Sequence, residues 1–594
     1  MAPILGFALL LLIFSIGIFL PFLIFFARGN TRENTQGNTE GNTRGNPGEN
    51  PRKNNFKISL EELQKISLRL VAGMLFAAII AQICLIYSFV ISDYSVENVY
   101  KNSHHLKPLI YKISGSWGNH EGSMLLLITT LSAYTLAFSF LSKISARQKL
   151  IITSSQSLII ALFAAFTAFT SNPFARIFPM PIEGLGLNPI LQDIGLALHP
   201  PMLYTGYLGF SLIFSFAIAG LLCEKVDRDF VRKMTPWLFF SYGFLTLGVG
   251  LGSWWAYREL GWGGYWFWDP VENVSLMPWL IATALIHAVK LVEKKEIYKN
   301  WTVFLAILTF ILCLLGIFLT RSGVLSSVHS FAIDAKRGFF VITLIFLIGG
   351  AALLIFGAKM NRLRSKPAII DRSEKLILLN NYFLLVALFV VLLGTTYPIF
   401  LRGLFSEFIS IGADYYNQIF KIMIVPFLAL IAFSTKSAKP TPKNISHLGF
   451  FLIILGVTFS SYFGLVKELS LKQGESFTLG DYKIKFEKIE YFAGKNFVSR
   501  QGDFTLSKNG KELGDLQPQL RFYPVNDQTT NEASIKHRIF GDVYLVIGNK
   551  DENENYAIRA YYKPFIWLIW LGCVLIFGAA LLKIFRNFFQ KTKK

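Results

Sequence analysis

Thirteen apolar stretches, each long enough to cross a hydrocarbon core of about 30 Å as a helix, decide what this chain can fold into. They lie at about 3–27, 66–92, 122–142, 148–171, 201–222, 235–252, 275–292, 302–320, 338–358, 377–398, 417–434, 445–464 and 563–585. The composition agrees. The chain is 53% hydrophobic and only 16% charged, with a mean hydropathy of +0.46, and a soluble globule cannot hide that much apolar surface whereas a bilayer can. The expected fold class is an all-α polytopic membrane protein of about 13 transmembrane helices with a small external β-rich domain.

A net charge of +21 raises the question of nucleic acid, but the placement of the charge argues against such a partner. Lys and Arg cluster in short loops between apolar runs, as at Lys143, Arg147 and Lys149, at Lys225, Arg228, Arg232 and Lys233, and at Lys359, Arg362, Arg364 and Lys366. The alternate loops are poor in both, with Arg176, Arg258 and Arg402 each alone in a connection. By the positive-inside rule the rich set is cytoplasmic. The N-terminus, the tryptophan-rich loop and the segment 465–562 are then outside and the C-terminus cytoplasmic, in a multi-pass membrane protein.

The first run, residues 1–28, is too long for a secretory h-region and is expected as a retained first helix. Residues 29–57 repeat Gly-Asn-Thr and Glu-Asn triplets and are expected as a disordered, low-complexity cytoplasmic loop. Residues 66–464 form the multi-helix core. Residues 465–562 alternate, as in Tyr482-Lys-Ile-Lys-Phe486, and carry Asn-Gly and Gly-Asp turns, which predicts a small external β domain. Residues 563–594 are expected as the last helix with a basic cytoplasmic tail. The four cysteines, Cys84, Cys223, Cys313 and Cys573, sit in or beside apolar runs without a CxxC, which excludes a self-contained thiol–disulfide relay.

More than half of the 11 tryptophans fall between Trp254 and Trp279, most of them in the external connection 253–275: Trp254-Trp255-Ala-Tyr-Arg258, then Trp262-Gly-Gly-Tyr-Trp266-Phe-Trp268-Asp269-Pro-Val-Glu272. An interfacial aromatic belt spreads one or two Trp per helix end. This density, broken by glycines and containing Asp269 and Glu272, favours a platform for a large planar apolar ligand.

Of eight histidines, His104, His105 and His537 are expected as surface residues. His120 suits an interfacial role as well as a ligand's. His199 opens the fifth apolar run in Leu198-His199-Pro200-Pro201, and His329 closes Arg321-Ser-Gly-Val-Leu-Ser-Ser-Val. Both share the side of the tryptophan loop, and two imidazoles beside a flat aromatic platform suit axial coordination of a haem iron. His287 lies about twelve residues into its run, roughly 18 Å deep, and His447 falls in the same inner half. Ionisable residues there suggest a shared ligand; hydrogen bonding to a neighbouring helix is the other account, and depth alone does not choose.

Together these residues resemble the WWD family of haem-handling membrane proteins, and within it the CcmF family, the haem lyase subunit of cytochrome c maturation system I. The tryptophan run carries the resemblance, with Ser114-Gly-Ser-Trp117-Gly-Asn-His120-Glu-Gly-Ser, Asn188-Pro-Ile-Leu-Gln-Asp193 through His199-Pro-Pro, and Leu319-Thr-Arg321 through His329-Ser-Phe-Ala. Gly29 to Asn55 has no counterpart recognised in that family.

The resemblance implies a transient substrate haem at His199 and His329 and a resident, bis-histidine haem b at His287 and His447. It implies attachment of haem by thioether bonds to the CxxCH cysteines of apocytochrome c. The expected partners are the periplasmic haem chaperone CcmE, CcmH- and CcmI-type presenting subunits, apocytochrome c, and quinol as the electron source. Trp262, Trp266 and Trp268 would bear the porphyrin, with Trp254 and Trp255 at its edge. Asp269 would fix the loop, and Arg258 and Arg321 would pair with haem propionates. Two alternatives remain open from the sequence: a haem exporter or haem-presenting receptor without bond chemistry, and a paralogue dedicated to a nitrite reductase cytochrome.

Overall fold

A computed structural model describes residues 1–36, 58–324, 335–365, 367–405, 409–434 and 439–589. Among these residues, thirteen helices are long and apolar enough to cross a membrane. They are α1 (Ala2–Gln36), α2 (Leu60–Val90), α3 (His120–Leu141), α4 (Ala146–Thr170), α5 (Ile194–Leu222), α6 (Arg228–Glu259) and α7 (Pro270–Lys295). There follow α8 (Lys299–Arg321), α9 (Lys336–Arg362), α10 (Arg372–Phe405), α11 (Ala413–Ser434), α12 (Pro442–Tyr462) and α13 (Trp567–Phe589). The helical and multi-pass expectation is therefore met.

Several helices start well before their apolar runs, because hydropathy marks the hydrocarbon-spanning part and caps mark the helix. Ser59 and Glu62 form a capping box that starts α2 at Leu60. Asp193 accepts from the Gly195 N–H at 2.5 Å and starts α5 at Ile194. His199 thus lies inside the second turn of α5 rather than at its opening, with Pro200 and Pro201 behind it. Helix α1 runs on to Gln36, eight residues into the polar segment, since extending an existing helix is far cheaper than nucleating one. Residues 37–57 of the low-complexity loop lie outside the described residues.

Helix α5 is the most buried span; its largest contact is with α6, and it also packs on α3, α4 and α8. Helix α7 packs on α6, α8 and α10, and α13 returns to lie between α6 and α12. By the count of spans, the connections after α2, α4, α6, α8 and α12 share one face. Contacts on that face agree: Val96 bridges to Arg176 as an isolated β pair, and Asn526 of the C-terminal domain donates to Leu185 O at 3.1 Å.

That domain is a sandwich of two antiparallel sheets built from β1 (Leu465–Leu471), β2 (Ser476–Leu479), β3 (Tyr482–Ala493), β4 (Val498–Lys508), β5 (Lys511–Leu516), β6 (Gln519–Tyr523), β7 (Gln528–Glu532), β8 (Ser534–Lys536), β9 (Gly541–Lys550) and β10 (Tyr556–Pro564). The sheets are ordered β1-β10-β9-β8 and β2-β3-β4-β6-β7, with β5 on β4. Strand β3 (Tyr482–Ala493) alternates buried and exposed residues through Phe486. Its inward Ile484 and Phe486 meet Phe504 and Leu506 of β4 (Val498–Lys508) and Val543, Leu545 and Ile547 of β9 (Gly541–Lys550) in one apolar core. A second cluster seats the sandwich on the helices: Tyr257 of α6, Tyr544, Tyr561 of β10 (Tyr556–Pro564) and Ile566 pack together, and Tyr257 OH donates to Asp542 at 3.3 Å.

Candidate functional site

The tryptophan loop, residues 260–269, joins α6 to α7 directly beneath the β domain. Asp269 is the N-cap of α7, accepting from the Val271 N–H at 2.8 Å, with Pro270 at the first helical position. Glu272 reaches back to the N–H groups of Asp269 (3.1 Å) and Phe267 (2.8 Å). These two carboxylates tie the loop to the positive end of the helix. Between them Trp268 is held at φ +56°, a left-handed backbone that a bulky residue rarely adopts. What holds it is packing: its ring stacks on Tyr416 of α11 at 4.6 Å and 8° and on Phe420 at 5.0 Å, and its N–H donates to Asn417 at 2.8 Å.

The tryptophans do not form one flat floor. Trp266 stands perpendicular to Trp268 at 6.1 Å, and Trp262, 47% exposed, stands edge-on to Phe267. Trp255 is buried. Trp254 lies under the Arg258 guanidinium at 4.7 Å, and that guanidinium pairs with the buried Asp193 at 3.3 Å. Arg258 therefore joins the end of α6 to the cap of α5, two elements that the sequence separates by over sixty residues.

His199 projects from α5 against α6. Its Nδ1 lies 2.8 Å from the Gly248 carbonyl; because a carbonyl only accepts, Nδ1 carries the proton and Nε2 carries the lone pair. The ring can lie there because Gly252 has no side chain: a Cβ at that position would come within 2.6 Å of the imidazole. His199 is half-buried beside the root of the tryptophan loop. His329, its expected companion, lies outside the described residues.

Arg321 is placed inside the bundle, 5% exposed. It donates to His120 O (3.0 Å), His120 Nδ1 (3.1 Å), Ser123 Oγ (2.8 Å) and Tyr204 OH (2.6 Å). With Nδ1 accepting, His120 carries its proton on Nε2, which donates to Ser171 Oγ at 2.9 Å. His120 is buried and its ring is held on both sides. The Arg321–His120 node ties α8 to the N-terminus of α3, and its geometry is that of a buried polar clamp.

The inner pair lies at the opposite end of the bundle. His287 is 17 residues along α7 from Pro270, about 26 Å by the helical rise. The helix begins at Pro270, ahead of the apolar run, because Asp269 caps it there. Its Nδ1 faces Thr283 O of its own helix at 2.8 Å, which again leaves the lone pair on Nε2. The Asn380 side chain of α10 lies 3.3 Å from the same nitrogen. His447, in the second turn of α12, has Nδ1 3.1 Å from Ser434 Oγ at the end of α11. The two imidazoles are half-buried. Helices α7 and α12 are spanned here by Trp279 stacked on Phe450 at 6.0 Å and on Tyr242 at 5.6 Å, and both histidines lie beyond that stack, away from the tryptophan loop. The donor set, two half-buried imidazoles on α7 and α12, fits a bis-histidine haem.

Sequence reasoning missed the residues that orient these rings. Asn380 had a usable signal, a polar pair Asn380-Asn381 inside an apolar run. Gly248 and Gly252 had none, since glycines are common in membrane helices.

Known proteins agree with this architecture. The chain matches the family model described as cytochrome C assembly protein over residues 117–325 and the CcmF C-terminal beta-sandwich over 463–564. It is 37% identical to the cytochrome c-type biogenesis protein CcmF of Haemophilus influenzae, over 86% of this chain and 91% of that one. It is 38% identical to the cytochrome c-type biogenesis protein ccl1 of Rhodobacter capsulatus, over 84% and 88%. The fold is shared with a solved structure of the cytochrome c haem lyase CcmF, at a TM-score of 0.74 and 21% identity over 98% of each chain. With identity at this level along nearly the whole length of both partners, the chain belongs to the CcmF family of cytochrome c-type biogenesis proteins.

Proposed function

We propose that this protein is the haem lyase of a cytochrome c maturation system, adding the two thiols of an apocytochrome CxxCH motif across the two vinyl groups of a substrate haem. In each addition one C–S bond forms, the S–H bond breaks, and its hydrogen ends on the neighbouring vinyl carbon, so the step is redox-neutral. The task is mainly one of positioning, with vinyls and thiols brought together in one orientation.

One observation carries the reading. On opposite faces of the bundle, His199 and His287 each have Nδ1 fixed by a backbone carbonyl at 2.8 Å. That arrangement leaves Nε2 as the nitrogen with which each ring would bind a haem iron. At the outer site His199, with His329 from the connection after α8, would hold the substrate iron until the CxxCH histidine replaces one of them. Trp262 offers the most exposed indole for the porphyrin, Trp266 a wall, and Trp268 anchors the loop to α11. Trp254 and Trp255 lie at the root of this platform. Asp269 sets the loop rather than moving a proton. Arg258 is placed to position His199 through Asp193, and Arg321 to hold the α8 end from which the His329 connection departs.

At the inner site His287 and His447 would hold a resident haem b, which supplies one-electron transfer when bound. The residues around it exclude water through the Trp279–Phe450 stack and direct both rings into the slot. Electrons from quinol would keep the substrate iron reduced. The expected partners are the haem chaperone CcmE, CcmH- and CcmI-type subunits and apocytochrome c, in the inner membrane, with the N-terminus, tryptophan loop and β domain periplasmic and the C-terminus cytoplasmic.

The test is reconstitution of purified protein with haem-loaded chaperone and a CxxCH peptide, scored by the c-type pyridine haemochrome. Wild type is expected to yield thioether-linked haem and His199→Ala to lose it. Haem handed to the peptide without any covalent product would instead establish a presenter.

A further inference from the structure

On the β-domain face, two connections whose residues are not among the proposed haem ligands approach each other closely. Residues 91–119 join α2 to α3, and residues 171–193 join α4 to α5. Leu185 N donates to Tyr100 O at 2.8 Å and Gly186 N to Ser103 O at 3.0 Å. The approach is so close that a Cβ on Gly184 would lie 2.1 Å from Ser103 O. This contact brings Glu183 against His104 and His105, 78 residues earlier.

We propose that His104, His105 and Glu183 form a binding site for a divalent, imidazole-preferring metal ion of the Zn2+ class. One ligand atom from each residue falls within 4.8 Å of the other two. His104 Nε2 is 3.8 Å from Glu183 Oε1, and His105 Nδ1 is hydrogen-bonded to Glu183 Oε2. The centroids of the two imidazole rings are 4.5 Å apart, and the carboxylate adds a third donor from the other connection. Two imidazoles and a carboxylate without thiolate make the His2Glu set that suits Zn2+ and leaves a fourth position for water or a partner's side chain. The His105–Glu183 hydrogen bond is the metal-free form of that set: an ion would replace the shared proton.

The carboxylate is held in place from the protein side. Glu183 accepts from the Gly184 and His105 N–H groups at 3.1 and 3.2 Å. Burial pushes its carboxyl up, but the hydrogen bonds it accepts outweigh burial and hold it down at about 2. His104 is 12% exposed and His105 58% exposed in the side chain, so an ion can enter from the His105 side. Lys107 lines the cleft behind His104, but its ammonium is turned away, to Asn102 O at 2.7 Å and to the Phe89 ring.

The ion would act as a staple. It would lock the 183–186 turn, on which Asn526 of the β domain rests. Gln192, at the other end of that cleft, is held by Asn496 at 2.8 Å and immediately precedes the Asp193 cap of α5. This inference stands apart from the haem reading and survives its failure.

Full-length protein in detergent, stripped with chelator, is titrated with Co2+ and then competed with Zn2+, and bound metal is counted by mass spectrometry. Wild type is expected to bind one equivalent more than His105→Ala and Glu183→Gln, with the visible absorption of low-symmetry Co2+. Affinity in both variants should fall at least tenfold. His105 is exposed, so its loss leaves the fold intact, which the elution profile and circular dichroism verify. Metal common to all three proteins belongs to other histidines. Equal equivalents and equal affinity in wild type and variants would overturn the site.

Discussion

The outer and inner histidine sites use the same chemical device and build it in opposite ways. His287 is oriented by a carbonyl four residues back on its own helix. Its ring direction is therefore a local property of α7. His199 is oriented by a carbonyl 49 residues away on another helix, in a gap that exists because Gly252 lacks a side chain. Its neighbouring loop contains a strained Trp268 that only α11 holds in place. A locally determined ligand suits a group that stays; a ligand set by the packing of three elements suits a site where substrate enters and leaves. The difference teaches where perturbations will spread: changes in the packing of α5 on α6 should reach His199 and leave the ring direction of His287 unchanged.

The sharpest break between the two is ligand removal. His287→Ala and His447→Ala should each abolish the b-type pyridine haemochrome of purified protein, while His199→Ala retains it. Retention of full b-type absorbance in either inner variant would remove the resident-haem proposal. Next in size is Gly252→Ala. The added Cβ must displace the His199 imidazole, and misplacement on the order of 1 Å can cost about 10²-fold in rate. Thioether formation should fall by that order with b-type haem unchanged; parallel loss of both would mean that the sites are not independently built.

A smaller effect is expected from Asp269→Ala. Losing an N-cap costs about 1 kcal/mol, so thermal unfolding in detergent should shift down by a few degrees, with thioether formation affected more than resident haem. An unchanged unfolding temperature would show that Glu272 alone sets the loop.

The smallest effect concerns pH. His537 Nδ1 lies 3.0 Å from Asp542, which is itself buried, and that hydrogen bond raises the His537 pKa above its ordinary value. A raised pKa stabilises the fold fully below the unfolded value near 6.5, and the gain is lost as pH rises through the folded value. Because the His537 side chain is 65% exposed, solvent screens most of it. His537→Gln should therefore lower the unfolding temperature slightly at acid pH and leave it unchanged at alkaline pH; a deficit growing with pH would contradict the pairing.

The helical class and the β-rich character of the external domain were legible in the sequence because each rests on a local pattern: apolar runs of membrane length, and period-two alternation in strands such as Tyr482 to Phe486. Helix starts were legible only in part. Asp193 and Asp269 are visible caps, yet hydropathy placed the starts of α5 and α7 later, which misjudged the setting of His199 within its helix. The identities of the candidate ligands came from motifs. Their surroundings did not: nothing near Arg321 in sequence shows that His120, Ser123 and Tyr204 surround it. His104 and His105 looked like surface residues because their third member, Glu183, arrives from another connection.

What the sequence by itself determined is the set of elements and the chemical groups available, since hydrophobic length, alternation and side-chain type act over a few residues. Only the tertiary structure decided which nitrogen of each imidazole carries the lone pair, and which arginines turn inward. It alone decided that the tryptophans stand at angles rather than in one plane. Those outcomes depend on carbonyls, rings and missing side chains contributed by helices far apart in the chain, and packing alone brings them together.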